Sequence, residues 1–187
     1  LEVGAQTYRT YLTRLGFGQR TGIGVGESRG ILHPLQDWRE VNLMSAGFGQ
    51  SLSVTGIQML QAWTTLANGG LFRPLRLVRD ESCREHQASQ RVFSARTANE
   101  VMRMLIDVVD GDGTGTRARI PGIRVAGKTG TAEHQGREDD SWFVGIAPAD
   151  NPSVVVVVAL EQAGKTVSAD ARAQDVLETA LGVQGVL

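Results

Sequence analysis

The chain has 187 residues, enough for one domain with a real core and too few for two comfortable ones. Its 41% hydrophobic and 21% charged content fit an ordinary globular protein, and a net charge of −1 gives no electrostatic case for nucleic acid or an anionic membrane surface. No stretch reaches the roughly 18 apolar residues of a membrane span, no signal peptide opens the chain, and a start at Leu1 without Met suggests a cut or processed piece.

In chain order, Gln6 to Leu15 reads as a short helix with Tyr8, Tyr11, Leu12 and Leu15 on one side. Phe17-Gly18 and Gly22 to Gly30 form a glycine-rich connection of turns and short extended pieces. A second bend, Gly47 to Gln50, leads to Thr55 with Gln58 three residues on, a capping box. The helix it starts runs through Met59, Leu60, Trp63 and Leu66 and stops at Asn68-Gly69-Gly70. Phe72 to Phe93 is mixed, with extended pieces around Leu75–Leu77 and Arg91–Phe93. Ser94 caps a helix whose Val101, Met104, Leu105 and Val108 recur at helical spacing. After the loop Asp110–Thr116 come three strands: Ile123–Thr131, Ser141–Ala147 and Ser153–Leu160. The loops between them are short enough for antiparallel hairpins. Val154 to Leu160, apolar throughout, is expected to be buried on both faces and central in its sheet. A last helix, Ala169 to Leu181, packs through Ala173, Val176, Leu177 and Leu181. Helices, then a meander, then a helix make an α+β fold.

One lysine stands apart. The chain has 17 Arg and two Lys, and one of the two, Lys128, opens Lys128-Thr129-Gly130-Thr131 at the end of a strand. A compact ammonium and a planar guanidinium do different work. An ammonium beside a serine hydroxyl favours loss of its proton and attracts a carboxylate. Threonine hydroxyls hydrogen-bond that carboxylate, and glycine lets the strand backbone lie close to a ligand. A backbone N–H just beyond is placed to stabilise an oxyanion. Alone, a Lys-Thr-Gly tripeptide is a weak signal, since a lysine at a strand end is usually only solvated.

Other features carry less. Asp110, Asp112 and the glycines after them hint at a calcium loop, but Pro121 stands where a Glu ligand is needed. The same glycines lack the Gly-Lys-Ser/Thr of a phosphate loop. His33, His86 and His134 have no ligand spacing, so no metal or cofactor is expected. The single Cys83 cannot form an internal disulfide. Glu133, Glu138, Asp139 and Asp140 read as the solvated tip of a hairpin, and Trp142 as a packing residue.

The order of phrases resembles the C-terminal part of the transpeptidase domain of class B penicillin-binding proteins, closest to the division-specific (septal) type. Phe17-Gly18-Gln19-Arg20-Thr21-Gly22-Ile23 with Glu27, Gly30 and Leu32 is similar to the phrase after that family's second motif. Phe48 to Thr55 with Gln58 and Ala67 to Gly70 resembles the segment through its long helix. Gly113-Thr114-Gly115-Thr116 with Ala118, then Ala126 to Ala132, then Trp142 to Pro148 and the valine strand complete the match across nearly the whole chain. The resemblance implies a penicillin-binding transpeptidase or serine β-lactamase type of fold, an antiparallel sheet flanked by helices, here incomplete. It implies a peptidoglycan D,D-transpeptidase with a serine acyl-enzyme, stem peptides ending in D-Ala-D-Ala as substrate, β-lactams as inhibitors and division proteins as partners. Lys128 and Thr131 take catalytic roles in that reading, and Thr129, Gly130 and Thr131 bind substrate. It implies an extracytoplasmic domain on the inner membrane, anchored by an N-terminal helix outside this chain.

The departures matter too. No serine has Lys three residues on, and no Ser-x-Asn is present, so residues 1–187 read as a partial domain starting after the second motif. The piece is expected to be inactive by itself. The first strands of the sheet are expected to be missing, and an open edge beside Val154–Leu160 invites pairing with another copy. A β-lactamase is a weaker enzyme reading, and a non-catalytic binding module or remnant of the same fold is the alternative from another class.

Overall fold

In the computed structural model, residues 2–78, 89–164 and 167–186 are described; Cys83 and His86 lie outside them. The elements are α1 (Ala5–Arg14), α2 (Glu40–Gly47), α3 (Gly56–Ala67), β1 (Leu71–Phe72), β2 (Gln90–Arg91), α4 (Ala95–Asp110), β3 (Ala126–Ala132), β4 (Asp140–Ala147), β5 (Val154–Leu160) and α5 (Ala169–Val183). Short 3₁₀ turns lie at Leu35–Asp37 and Thr116–Ala118. Two compact units result, one drawn from Leu1–Thr65 and Leu71–Val92, the other from Leu66–Gly70 and Phe93–Leu187.

The first unit combines an apolar cluster around Leu12, Phe17 and Ala62 with buried amides on α3. The expected capping box forms in both directions: Gln58 N donates to Thr55 Oγ1 at 3.1 Å and Thr55 N to Gln58 Oε1 at 2.9 Å. The face of α3 that is buried, however, is Gln58, Gln61, Ala62 and Thr65. Thr65 Oγ1 donates within the helix, to Gln61 O at 3.0 Å, while Gln58 and Gln61 satisfy the backbone of extended segments outside it. Gln58 Nε2 donates to Gln19 O and Arg29 O at 2.8 and 2.9 Å. Gln61 donates to Arg73 O at 2.5 Å and accepts from Leu75 N at 2.9 Å. The glycine-rich connection is fixed likewise. Glu27 accepts from the Thr21 hydroxyl and from the N–H groups of Gly22 and Gly24 at 2.7, 2.9 and 3.1 Å. The Thr21 hydroxyl, then the backbone donors, hold the Glu27 carboxyl below its usual range. Tyr8 stacks at a tilt on Trp38 and donates to Ala46 O at 2.8 Å, a contact from α1 to α2. Helix α2 was not expected from the sequence.

The second unit is an antiparallel meander, β3-β4-β5, with α5 packed on β4 and β5 and α4 on β3. Its core gathers Val109, Ala118, Val125, Phe143, Ala173, Leu177 and Leu181. β4, not β5, is the middle strand among the described residues. Only Val156 of β5 is buried, and Ala159 is exposed, so the apolar run is half-covered rather than central. The packed face of α4 differs from the expected one, while that of α5 holds at Ala173, Leu177 and Leu181 and fails only at Val176. Met104 is 65% exposed and Val176 48% exposed. α4 instead buries Ala98, Met102 and Val109, and α5 buries Ala169, Asp170, Ala173, Leu177 and Leu181. Ser94 does cap α4, accepting from Thr97 N at 3.0 Å. The far end of α4 is closed by Arg119, whose guanidinium donates to Val109 O, Asp110 O and Gly111 O at 2.7, 2.8 and 2.7 Å. The aspartates of that loop therefore sit in a capped helix-to-strand turn.

Phe143 occupies space left by three glycines. The β3–β4 register sets Gly127 opposite Gly145, and Gly145 follows Phe143 on the same face. A Cβ on Gly127 would fall well under 3.0 Å from the Phe143 ring, one on Gly145 at 2.8 Å, and one on Gly115 at 3.2 Å. Phe143 itself is fully buried. Gly127→Ala is therefore expected to lower stability by about 1–3 kcal/mol through overpacking. Gly130→Ala, whose Cβ meets only Trp142 Cβ at 3.5 Å, should cost under about 1 kcal/mol. Urea unfolding of the two variants checks the contrast, and equal losses would refute the packing argument.

Candidate active site

Strand β3 emerges from the core. Ala126 and Gly127 are buried, and Lys128, Gly130 and Thr131 are exposed along what is, among the described residues, an edge of the sheet. Lys128 Nζ donates to Thr129 O at 2.9 Å and reaches Thr129 Oγ1 at 3.4 Å. The ammonium is thus held over the first threonine. Gly130 has no positive φ and ample room for a Cβ, so the chain's own packing does not demand glycine there. Thr131 pairs with Ser141 across the hairpin, and Gly130 with Trp142, which is half-buried.

The sequence reading left one participant without a role. Thr114 Oγ1 lies 2.6 Å from Thr129 Oγ1. Its loop is pressed onto α4 and the sheet by its neighbours. Gly115 N donates to Val108 O at 3.1 Å, and a Cβ on Gly113 would fall under 3.0 Å from the Val108 backbone. The signal was present as a threonine between two glycines, 15 residues before Thr129. The structure brings Lys128, Thr129 and Thr114 together, with Gly130 and Thr131 next along the strand. A Ser-x-Asp triplet, Ser168-Ala169-Asp170, also escaped the reading. It opens α5, where Ser168 Oγ accepts from Arg117 at 2.9 Å and Asp170 is buried.

Residues 1–180 match the model of the penicillin-binding protein transpeptidase domain. The chain belongs to this family. It is similar to the penicillin-binding protein PbpB of Mycobacterium tuberculosis, with 38% identity over 181 residues, covering 85% of this chain and 27% of that protein. A probable peptidoglycan D,D-transpeptidase PbpC of Pseudomonas aeruginosa is 36% identical, over 86% of this chain and 29% of that protein. Among solved structures, penicillin-binding protein 3 of Mycobacterium tuberculosis complexed with aztreonam superposes with a TM-score of 0.89 at 32% identity. The superposition covers 98% of this chain and 47% of that one. The chain spans about a quarter to three tenths of the length of these curated relatives. The fold is that of the class B penicillin-binding transpeptidases, as the order of phrases implied.

The hairpin beyond the lysine strand is more ordered than a solvated tip. Glu133 and Glu138 are exposed as expected, but Asp140 is engaged on both oxygens. Oδ1 accepts from Gln162 N at 3.0 Å, and Oδ2 lies 2.7 Å from His134 Nε2 and 3.3 Å from Arg137. The Gln162 N–H, then His134, then the charge of Arg137 hold its carboxyl below the usual range. A folded-state value below the unfolded one contributes stability that is present above the unfolded value, near about 4, and lost as pH falls through the folded one. Asp140→Asn should therefore be less stable than wild type at pH 6, with the gap narrowing below about pH 4. Thermal unfolding at a series of pH values checks this, and a gap independent of pH would contradict it.

Proposed function

We propose that the intact protein is a peptidoglycan D,D-transpeptidase of septal type, working through a serine acyl-enzyme and inhibited covalently by β-lactams. The observation that carries the proposal is the exposed edge at Lys128–Thr131, with a glycine at position 130 that the fold itself does not require. A glycine kept where a side chain would fit leaves room for something to lie against the backbone. In this reading Lys128 supplies positive charge beside the serine nucleophile and draws in the substrate carboxylate. The hydroxyls of Thr129 and Thr131 bind that carboxylate. The Thr131 N–H donates to the oxyanion of the tetrahedral intermediate. The substrate is a stem peptide ending in D-Ala-D-Ala.

Support comes from the family and from neighbours whose structures are complexes with aztreonam and ampicillin. Relatives named for peptidoglycan D,D-transpeptidase activity and for sporulation favour a cell-wall role with division proteins as partners. Such a protein works outside the cytoplasm, on an N-terminal membrane anchor. No helix among the described residues is long and apolar enough to cross a membrane. Residues 1–187 contain neither Ser-x-x-Lys nor Ser-x-Asn, so this piece is inactive by itself. The edge that β5 forms among the described residues is where another copy would pair.

A fluorescent penicillin tests both halves. Full-length protein should be labelled covalently and the isolated chain should not; labelling of the isolated chain would refute the fragment reading. Lys128→Ala in the full-length protein should slow acylation by about 100-fold or more. Unchanged acylation there would remove Lys128 from the mechanism.

A further inference from the structure

Thr129 Oγ1 has one proton and two lone pairs, and the side chains around it decide where that proton points. Lys128 Nζ approaches as a donor only, at 3.4 Å. Thr114 Oγ1, at 2.6 Å, either accepts the Thr129 proton or donates its own. If Thr129 donates to Thr114, its only proton is spent inside the protein. If Thr114 donates to Thr129, that proton is released toward the exposed edge.

We infer that Thr114 is a positioning residue for anion recognition: its hydroxyl donates to Thr129 and turns the Thr129 proton outward to a substrate or inhibitor carboxylate. The inference rests on the carboxylate-binding reading of Thr129 proposed above. A carboxylate is an acceptor only, so its arrival selects the arrangement in which Thr114 donates. The resulting chain, Thr114 hydroxyl to Thr129 hydroxyl to carboxylate, strengthens each bond through polarisation. The geometry is built rather than incidental. A Cβ on Gly113 would clash with the Val108 backbone below 3.0 Å, and one on Gly115 would crowd the Phe143 ring at 3.2 Å and Val108 at 3.4 Å. The same ring presses on Gly127 of β3, one residue before Lys128. Loop and strand are therefore registered on a common support, and a threonine between the two glycines is delivered to Thr129.

The test uses full-length protein and separates the dissociation constant of the first, non-covalent penicillin complex from the acylation rate constant. Two probes are compared, benzylpenicillin and its carboxylate methyl ester. Thr114→Val is expected to weaken the non-covalent complex with the free acid by about 5- to 20-fold, as for a lost hydrogen bond to a charged group. The acylation rate constant should change by less than about 3-fold, because the variant acts on ground-state anchoring. The ester, which has no anion, should bind both proteins alike, and Thr114→Ser should restore the free acid to near wild type. In a Thr129→Val background, Thr114→Val should add nothing. Thr114→Ala, with equal melting temperature, serves if the valine variant is disturbed in folding. Equal weakening of acid and ester, or an unchanged complex with the acid, overturns the inference alone. Wild-type protein that takes up no penicillin overturns the reading beneath it and the inference with it.

Discussion

The aromatic ring of Phe143 is the fixed point around which the second unit is arranged. It comes from the middle strand, is wholly removed from solvent, and fills volume that side chains at positions 115, 127 and 145 would otherwise claim. Those three positions belong to three different pieces of chain: the loop after α4, the strand β3, and β4 itself. One ring therefore sets the depth of β3 against β4 and the height of the 113–116 loop above both. Close-packed interiors transmit such constraints because a shift of a few tenths of an ångström is resisted on every side. The exposed half of β3 inherits its position from the buried half. Lys128 follows Gly127 directly, and Thr129 is the cross-strand partner of Phe143.

The two units use different physics. In the second, hydrophobic burial between a sheet and α5 dominates, with Leu177 and Leu181 wholly buried. In the first, Gln58 collects carbonyls of the glycine-rich connection at Gln19 and Arg29, and Gln61 holds the backbone of Arg73 and Leu75. Removing either amide would leave buried backbone groups unpaired, a larger loss than an exposed hydrogen bond. Among the described residues no buried side-chain polar atom lacks a partner. A polar face on a helix is here a structural device, and it helps the glycine-rich connection hold one shape.

What the sequence made legible divides along the same line. Local signals that act over three or four residues were readable: the Thr55–Gln58 box, the Ser94 cap, the stop at Gly69-Gly70, and the hairpins of the meander. Hydrophobic period alone misplaced the packed face of α4, where Met104 is apolar yet exposed, but on α5 it erred only at Val176, with Ala173, Leu177 and Leu181 buried as expected. It also misjudged β5, since a run of valines reports burial in a complete sheet, and among the described residues the strand is an edge. Helix α2, held by Tyr8 through the Ala46 carbonyl, has no strong local signal and depends on contact with α1. At the site, Lys128 to Thr131 announced themselves by residue type and order. Thr114 did not, because its significance lies in a hydroxyl–hydroxyl contact across 15 residues that only the folded loop creates.

Loop and lysine strand share one support, the Phe143 ring. Amide hydrogen exchange in Phe143→Leu protein, which keeps an apolar side chain but removes the ring, reads this residue by residue. The amides of Gly115, Lys128 and Gly130 should lose protection together, by about tenfold or more, while those of α5 change less. Protection lost evenly across the unit, or retained at Gly115 while β3 loosens, would show that the ring is ordinary core and that loop and strand are positioned independently.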